Sequence, residues 1–141
     1  MSAQKVFCSY AYTGEDQALV RERMFGIKKV LDRLSIQSYC DLFDIATESF
    51  TEPQQFIRSA LDELAKSDVL LVINTSERRS EGMLIEVGAA ITRGLPIIYA
   101  QHESSINKTY LPSLANETFV WREEEQLLES IGELFTRKIT S

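Results

Sequence analysis

Apolar residues along this chain alternate between short solid runs and longer stretches with spacings of three and four, so strands and helices are expected in turn from one end to the other. Lys5 to Tyr10 is an apolar run followed by Thr13-Gly14, a strand and then a turn. Thr13 stands where a helix cap belongs. Glu15 and Asp16 would fill the first turn, against the positive end of the dipole, and Leu19, Met24, Ile27, Val30, Leu31 and Leu34 recur at helical spacing. Ile36 to Phe43 alternates and ends at Asp44, a second strand. The text from Thr51 to Gln54 combines a capping-box pattern with Pro53 in the first turn, opening a helix that runs to about Lys66. Asp68 to Ile73 holds consecutive branched apolar residues bounded by polar ones, which describes a parallel strand buried on both faces. After a polar loop from Asn74 to Arg79, a helix runs from Ser80 to Arg93 and stops at Gly94. Leu95 to Ala100 is a fourth strand, with Pro96 tolerated at its start. His102 to Leu114 reads as irregular, Thr118 to Trp121 as a fifth strand, and Glu123 to Lys138 as a closing helix.

Short connections between alternating strands and helices permit only right-handed βαβ units. The expected fold is therefore α/β, a three-layer doubly wound sheet of five parallel strands with the flavodoxin-like order 2-1-3-4-5. Ligands of such sheets sit at the carboxyl ends of the strands where the winding reverses, here between strands one and three. That rule points to Ser9 to Thr13 and to Asn74 through Glu86.

The length of 141 residues suits a single domain spanning 1–141. Hydrophobic residues at 44% and charged residues at 26% exclude a disordered or coiled-coil chain. With 15 basic against 21 acidic side chains the net charge is −6, which argues against a nucleic-acid partner because such proteins need a basic stripe. Cys8 and Cys40 lack metal-ligand spacing and have only His102 for company, so no metal site is expected. Both cysteines fall in expected strands. With no signal peptide and no apolar run approaching the roughly 20 residues that span a bilayer, the expectation is a cytoplasmic protein with two free buried thiols and no membrane contact.

Ser80, Gly82 and Glu86 carry the candidate chemistry. Ser80 is a natural helix N-cap, and Gly82 leaves the first-turn backbone NH groups open to a phosphate or a sugar hydroxyl. Glu86 has Gly82 and Ala90 four residues to either side, neither bulky enough to cover it. A helical glutamate is ordinarily a solvated face residue. Here Leu84, Val87 and Ile91 are expected to form the buried stripe, with Glu86 beside it near the sheet's carboxyl edge. Ser9 and Tyr10, and similarly Tyr12, offer hydroxyls and stacking rings to a base, although packing explains them equally. Asn74 and Met83 complete the candidate substrate-binding set of Ser9, Tyr10, Tyr12, Asn74, Ser80, Gly82 and Met83 around the catalytic candidate Glu86. Arg78 and Arg79 are possible phosphate clamps, though arginines in a polar loop are more often solvated. His102 reads as a loop residue. No GxGxxG, GxxxxGK or GxSxG text occurs, which disfavours a dinucleotide-binding domain, a P-loop enzyme and an α/β hydrolase.

These residues carry a resemblance. Asp68 to Ile73, then Ser80-x-Gly82-x-x-x-Glu86-x-Gly88-x-Ala90, then Gly94-x-Pro96-Ile97-Ile98 resemble the nucleoside 2-deoxyribosyltransferase-like superfamily. The resemblance implies a flavodoxin-type core whose glutamate, here Glu86, attacks the anomeric carbon to form a glycosyl ester resolved by water or a second base. Where transferases of that group carry aspartate, this chain has Ser80, as in the nucleotide N-glycosidase branch that binds a 5′-phosphate there. The position matching the family's base-protonating acid holds Ala60, and Asp62 is displaced by about 200° around a helix. Val6 to Tyr10, with Ser80 and Glu86, is also similar to Toll/interleukin-1 receptor domains, some of which cleave NAD with a glutamate at this place. The resemblances together imply a hydrolase or transferase acting on the N-glycosidic bond of a nucleoside or nucleotide. They imply no cofactor, with NAD entering only as a possible substrate, and a homo-oligomer. A NAD hydrolase, or a non-catalytic nucleotide-sensing or interaction module that keeps the fold, are the alternatives.

Overall fold

Six consecutive buried side chains make Val69–Asn74 the axis of the molecule, and their alternation divides the core in two. Val69, Leu71 and Ile73 join one apolar cluster, while Leu70 and Val72 join the other. The computed structural model describes residues 5–12, 14–75 and 80–140. Among them the strands are β1 (Lys5–Tyr10), β2 (Gln37–Tyr39), β3 (Val69–Asn74), β4 (Ile97–His102) and β5 (Glu117–Trp121). The helices are α1 (Gln17–Arg33), α2 (Pro53–Ala65), α3 (Glu81–Arg93) and α4 (Glu124–Thr140). Every pairing is parallel and the order is β2-β1-β3-β4-β5, the expected α/β flavodoxin-like sheet. One cluster joins the sheet to α1 and α4 through Met24, Ile27, Leu31, Ile131 and Phe135. The other joins it to α2 and α3 through Leu64, Met83, Val87 and Ala90.

Local chemistry moves several boundaries. The carboxylate of Asp16 accepts from the backbone NH of Ala18 and Leu19 at 3.1 and 3.2 Å, so α1 starts at Gln17 and Glu15 and Asp16 precede its first turn. Thr13, the expected cap, lies outside the described residues. The buried stripe of α1 is Val20, Met24, Ile27 and Leu31, and Leu19, one residue out of phase, is exposed. The second strand ends at Tyr39 instead of Phe43. Beyond it the chain runs through short 3-10 turns at Asp41–Phe43 and Ile45–Ser49, and Leu42 and Phe43 pack against the α1–α4 core from those turns, which explains their apolar alternation. Cys40 accordingly lies just past the strand; both thiols are buried and free. α2 is capped one residue late: the side-chain oxygen of Gln55 accepts from the backbone NH of Thr51 and Glu52, each at 2.8 Å.

β4 begins at Ile97 because Leu95 still belongs to the end of α3. Gly94 adopts the left-handed conformation (φ 68°), and the Leu95 NH then returns to the Ala90 carbonyl at 2.9 Å. His102 closes β4 instead of lying in a loop, its ring edge-on to Trp121 with centroids 4.7 Å apart. No helix of the described residues is long and apolar enough to cross a membrane.

Candidate functional site

The winding reverses between β1 and β3: from β1 the chain steps outward to β2, and from β3 it steps the other way to β4 and β5. The carboxyl ends of this pair, Tyr10 and Asn74, therefore open a crevice, and α3 starts over it. Ser80 caps α3, its Oγ accepting from the Met83 NH at 3.0 Å. The face α3 turns inward is Met83, Val87 and Ala90; of the expected stripe Val87 is buried, whereas Leu84 and Ile91 are 44% and 48% exposed. Glu86 falls within the buried face, between Met83 and Ala90, and its carboxyl is carried toward the sheet. There the hydroxyl of Ser9, on β1, donates to Glu86 Oε1 at 2.7 Å.

A cavity of about 220 Å³ surrounds this pair, bounded by β1 from Phe7 to Tyr10, by Tyr12, by Ser80, Gly82 and Met83 at the start of α3, by Ala60 of α2 and by Asp41. A smaller hollow of about 100 Å³ continues between α2 and α3, past Phe56, Ile57 and Leu61. On the other side of Tyr10 and Tyr12 lies an open crevice of about 550 Å³, walled by Arg21, Phe43, Asp44 and Glu48. Asp41 borders all three spaces. A larger groove, about 900 Å³, lies between α1 and α4 on the opposite layer, away from the carboxyl edge of the sheet. Size does not locate this site; convergent carboxyl groups do.

Burial pushes the Glu86 carboxyl up to about 7, against a downward pull from the Ser9 hydrogen bond and with a further upward push from the charge of Asp41. Tyr10 is raised well above the usual phenol range, first by burial and then by the neighbouring Cys40 and Asp41, so it stays protonated and donates to Asp41. Burial raises both thiols, Cys40 to about 12, so neither is a nucleophile at neutral pH. Among the described residues no group of three His, Cys, Asp or Glu is placed to hold a metal ion.

The structure brings together Ser9, Tyr10, Tyr12, Ser80, Gly82, Met83 and Glu86 around one cavity. Tyr12 stacks edge-on against Tyr10, centroids 6.3 Å apart. Asn74 is not in that lining: it is buried in the sheet and its amide donates to the Tyr99 hydroxyl. Arg78 and Arg79 lie outside the described residues.

No protein-family model matches the sequence, and no curated protein matches it. Solved structures do. BlsM, known from a solution structure, superposes with a TM-score of 0.74 at 14% identity, over 99% of this chain and 96% of its own. A CMP N-glycosidase of Clostridium botulinum, BcmB, gives a TM-score of 0.70 at 19% identity, over 92% and 98%. A conserved protein of Enterococcus faecalis V583 gives 0.69 at 17%, over 94% and 99%. At these identities the shared property is the fold.

Asp41 is the residue the sequence pattern missed. Extending the second strand to Phe43 placed Asp41 inside a strand, where it looked like one alternating polar residue. Ending that strand at Tyr39 puts Asp41 just past the carboxyl end of β2, beside the β1 end at the reversal point.

Proposed function

We propose that this chain cleaves the C1′–N glycosidic bond of a nucleoside 5′-monophosphate, with Glu86 as the nucleophile. The observation that carries the reading is the Glu86 carboxyl, half-buried at the winding reversal of the sheet and held by Ser9 against a cavity of about 220 Å³. The fold shared with a CMP N-glycosidase supports it. In the ionised form Glu86 attacks C1′, the C1′–N electron pair leaves with the base, and a glycosyl ester forms. Water then attacks C1′ and the ester bond returns its electrons to Glu86, giving free base and sugar phosphate. Ser9 aims the carboxylate. Ser80 and Gly82, at the start of α3, receive the phosphate, where unpaired backbone NH groups and the helix dipole favour an anion. Tyr10 and Tyr12 line the side on which the base lies.

Release of free base is measured with deoxynucleosides, nucleoside and deoxynucleoside monophosphates, and NAD. The expected result is turnover of a monophosphate, lowered by roughly 10³-fold or more in Glu86→Gln. Turnover that survives the substitution removes Glu86 from the mechanism. Exchange of one base for another marks a transferase, preference for NAD marks the dinucleotide hydrolase, and stabilisation by nucleotides with no turnover of any substrate marks a sensor.

A further inference from the structure

The leaving base must collect a proton, and nothing on α2 supplies one: the residue that α2 turns into the cavity is Ala60. We infer that Asp41 is the second catalytic carboxyl, the acid that protonates the departing base and then the base that activates water. This rests on the proposed N-glycosidic reaction.

Three observations converge on Asp41. Among the described residues it is the one shared by the Glu86 cavity, the hollow between α2 and α3, and the large crevice beyond Tyr10, so a substrate whose sugar lies against Glu86 and whose base reaches into the crevice passes it. Its carboxylate accepts from the Tyr10 hydroxyl, which orients it on the β1 side. Its backbone is fixed by the 3-10 turn it opens, in which its carbonyl accepts from the Asp44 NH at 3.2 Å. The charge of Asp41 also reaches Glu86 and disfavours its ionisation. Both carboxyl groups line the same cavity. The step requires Glu86 in its ionised form and a proton on Asp41. As C1′–N breaks, the electron pair moves onto the base and the Asp41 proton follows it. In the second half Asp41, now a carboxylate, removes a proton from water as the water oxygen bonds to C1′ and Glu86 leaves. Both carboxyl groups return to their starting states, and the net reaction is hydrolysis.

A base that is already cationic needs no proton to leave, and this separates the two carboxyl groups. Wild type, Asp41→Asn, Tyr10→Phe and Glu86→Gln are assayed on a monophosphate with a neutral base and on 7-methylguanosine 5′-monophosphate, whose base is a cation, with folding checked by circular dichroism and melting. Asp41→Asn is expected to lower kcat by about 10²- to 10⁴-fold on the neutral base and by less than about tenfold on the cationic one. Glu86→Gln is expected to lower both. Tyr10→Phe, which deletes one oxygen, shifts the ratio in the same direction by a smaller factor and carries the comparison if Asp41→Asn fails to fold. Equal losses on the two substrates, or no loss, overturn the role of Asp41 and leave Glu86 standing. A wild-type protein inert towards both overturns the reaction itself.

Discussion

Glu86 is placed at a cost to the fold, and the cost has a sign. Its ordinary value is 4.5 and burial raises it to about 7, so in the folded chain the neutral form is favoured. Below about pH 4.5 folded and unfolded chains are both protonated and no penalty exists. As pH rises towards 7 the unfolded chain gives up this proton while the folded one keeps it, and above 7 the folded state carries the full penalty of a desolvated carboxylate. Glu86→Gln has no proton to lose and can still accept from Ser9. We expect it to be more stable than wild type by roughly 1–3 kcal/mol at pH 8 and by much less at pH 5, read from urea titrations at both values. Equal stability at pH 8 would mean that the carboxyl is solvated. A residue that costs stability yet stays ionisable suits a nucleophile better than a packing role.

On the scale of the element, α3 shows why a helical period does not by itself choose a face. Leu84, Gly88 and Ile91 recur at helical spacing, and so do Met83, Val87 and Ala90. The more branched set is exposed, and the buried set is the one that carries Glu86. Gly82 lies on the cavity side, and a Cβ built there meets only the Ser80 Oγ, at 3.9 Å. Gly82→Ala therefore fits without strain, and the gain in helix propensity is about 0.5–1 kcal/mol. The expected outcome is an unchanged or higher melting temperature with a raised KM for the phosphorylated substrate. A lower melting temperature would place a packing contact at Gly82 that the geometry lacks.

At the scale of the whole molecule, stability rests on β3, because its side chains belong to both cores at once. Leu71 is fully buried within the α1–α4 cluster, away from the layer that holds Glu86. Leu71→Ala should cost about 2–5 kcal/mol, measured by denaturant unfolding. The same buried strand makes the architecture legible in the sequence. Short solid apolar runs bounded by polar residues read as strands covered on both faces, and short connections wind them one way. Those two facts give a doubly wound parallel sheet, for which 2-1-3-4-5 is the best match with five strands, and the site edge follows from that order.

The chain text alone determined the doubly wound parallel sheet and the candidacy of Glu86, since strand burial, crossover handedness and the Ser80 cap are local or near-local properties. Only the tertiary structure decided which stripe of α3 is inward, that Ser9 holds the carboxyl, and that Asp41 shares its cavity. Each of these depends on contacts between residues far apart in sequence, 77 positions for Ser9 and Glu86. The exit of β2 shows the same dependence: Leu42 and Phe43 read as strand by alternation, and their packing onto the core from a turn brings Asp41 to the site.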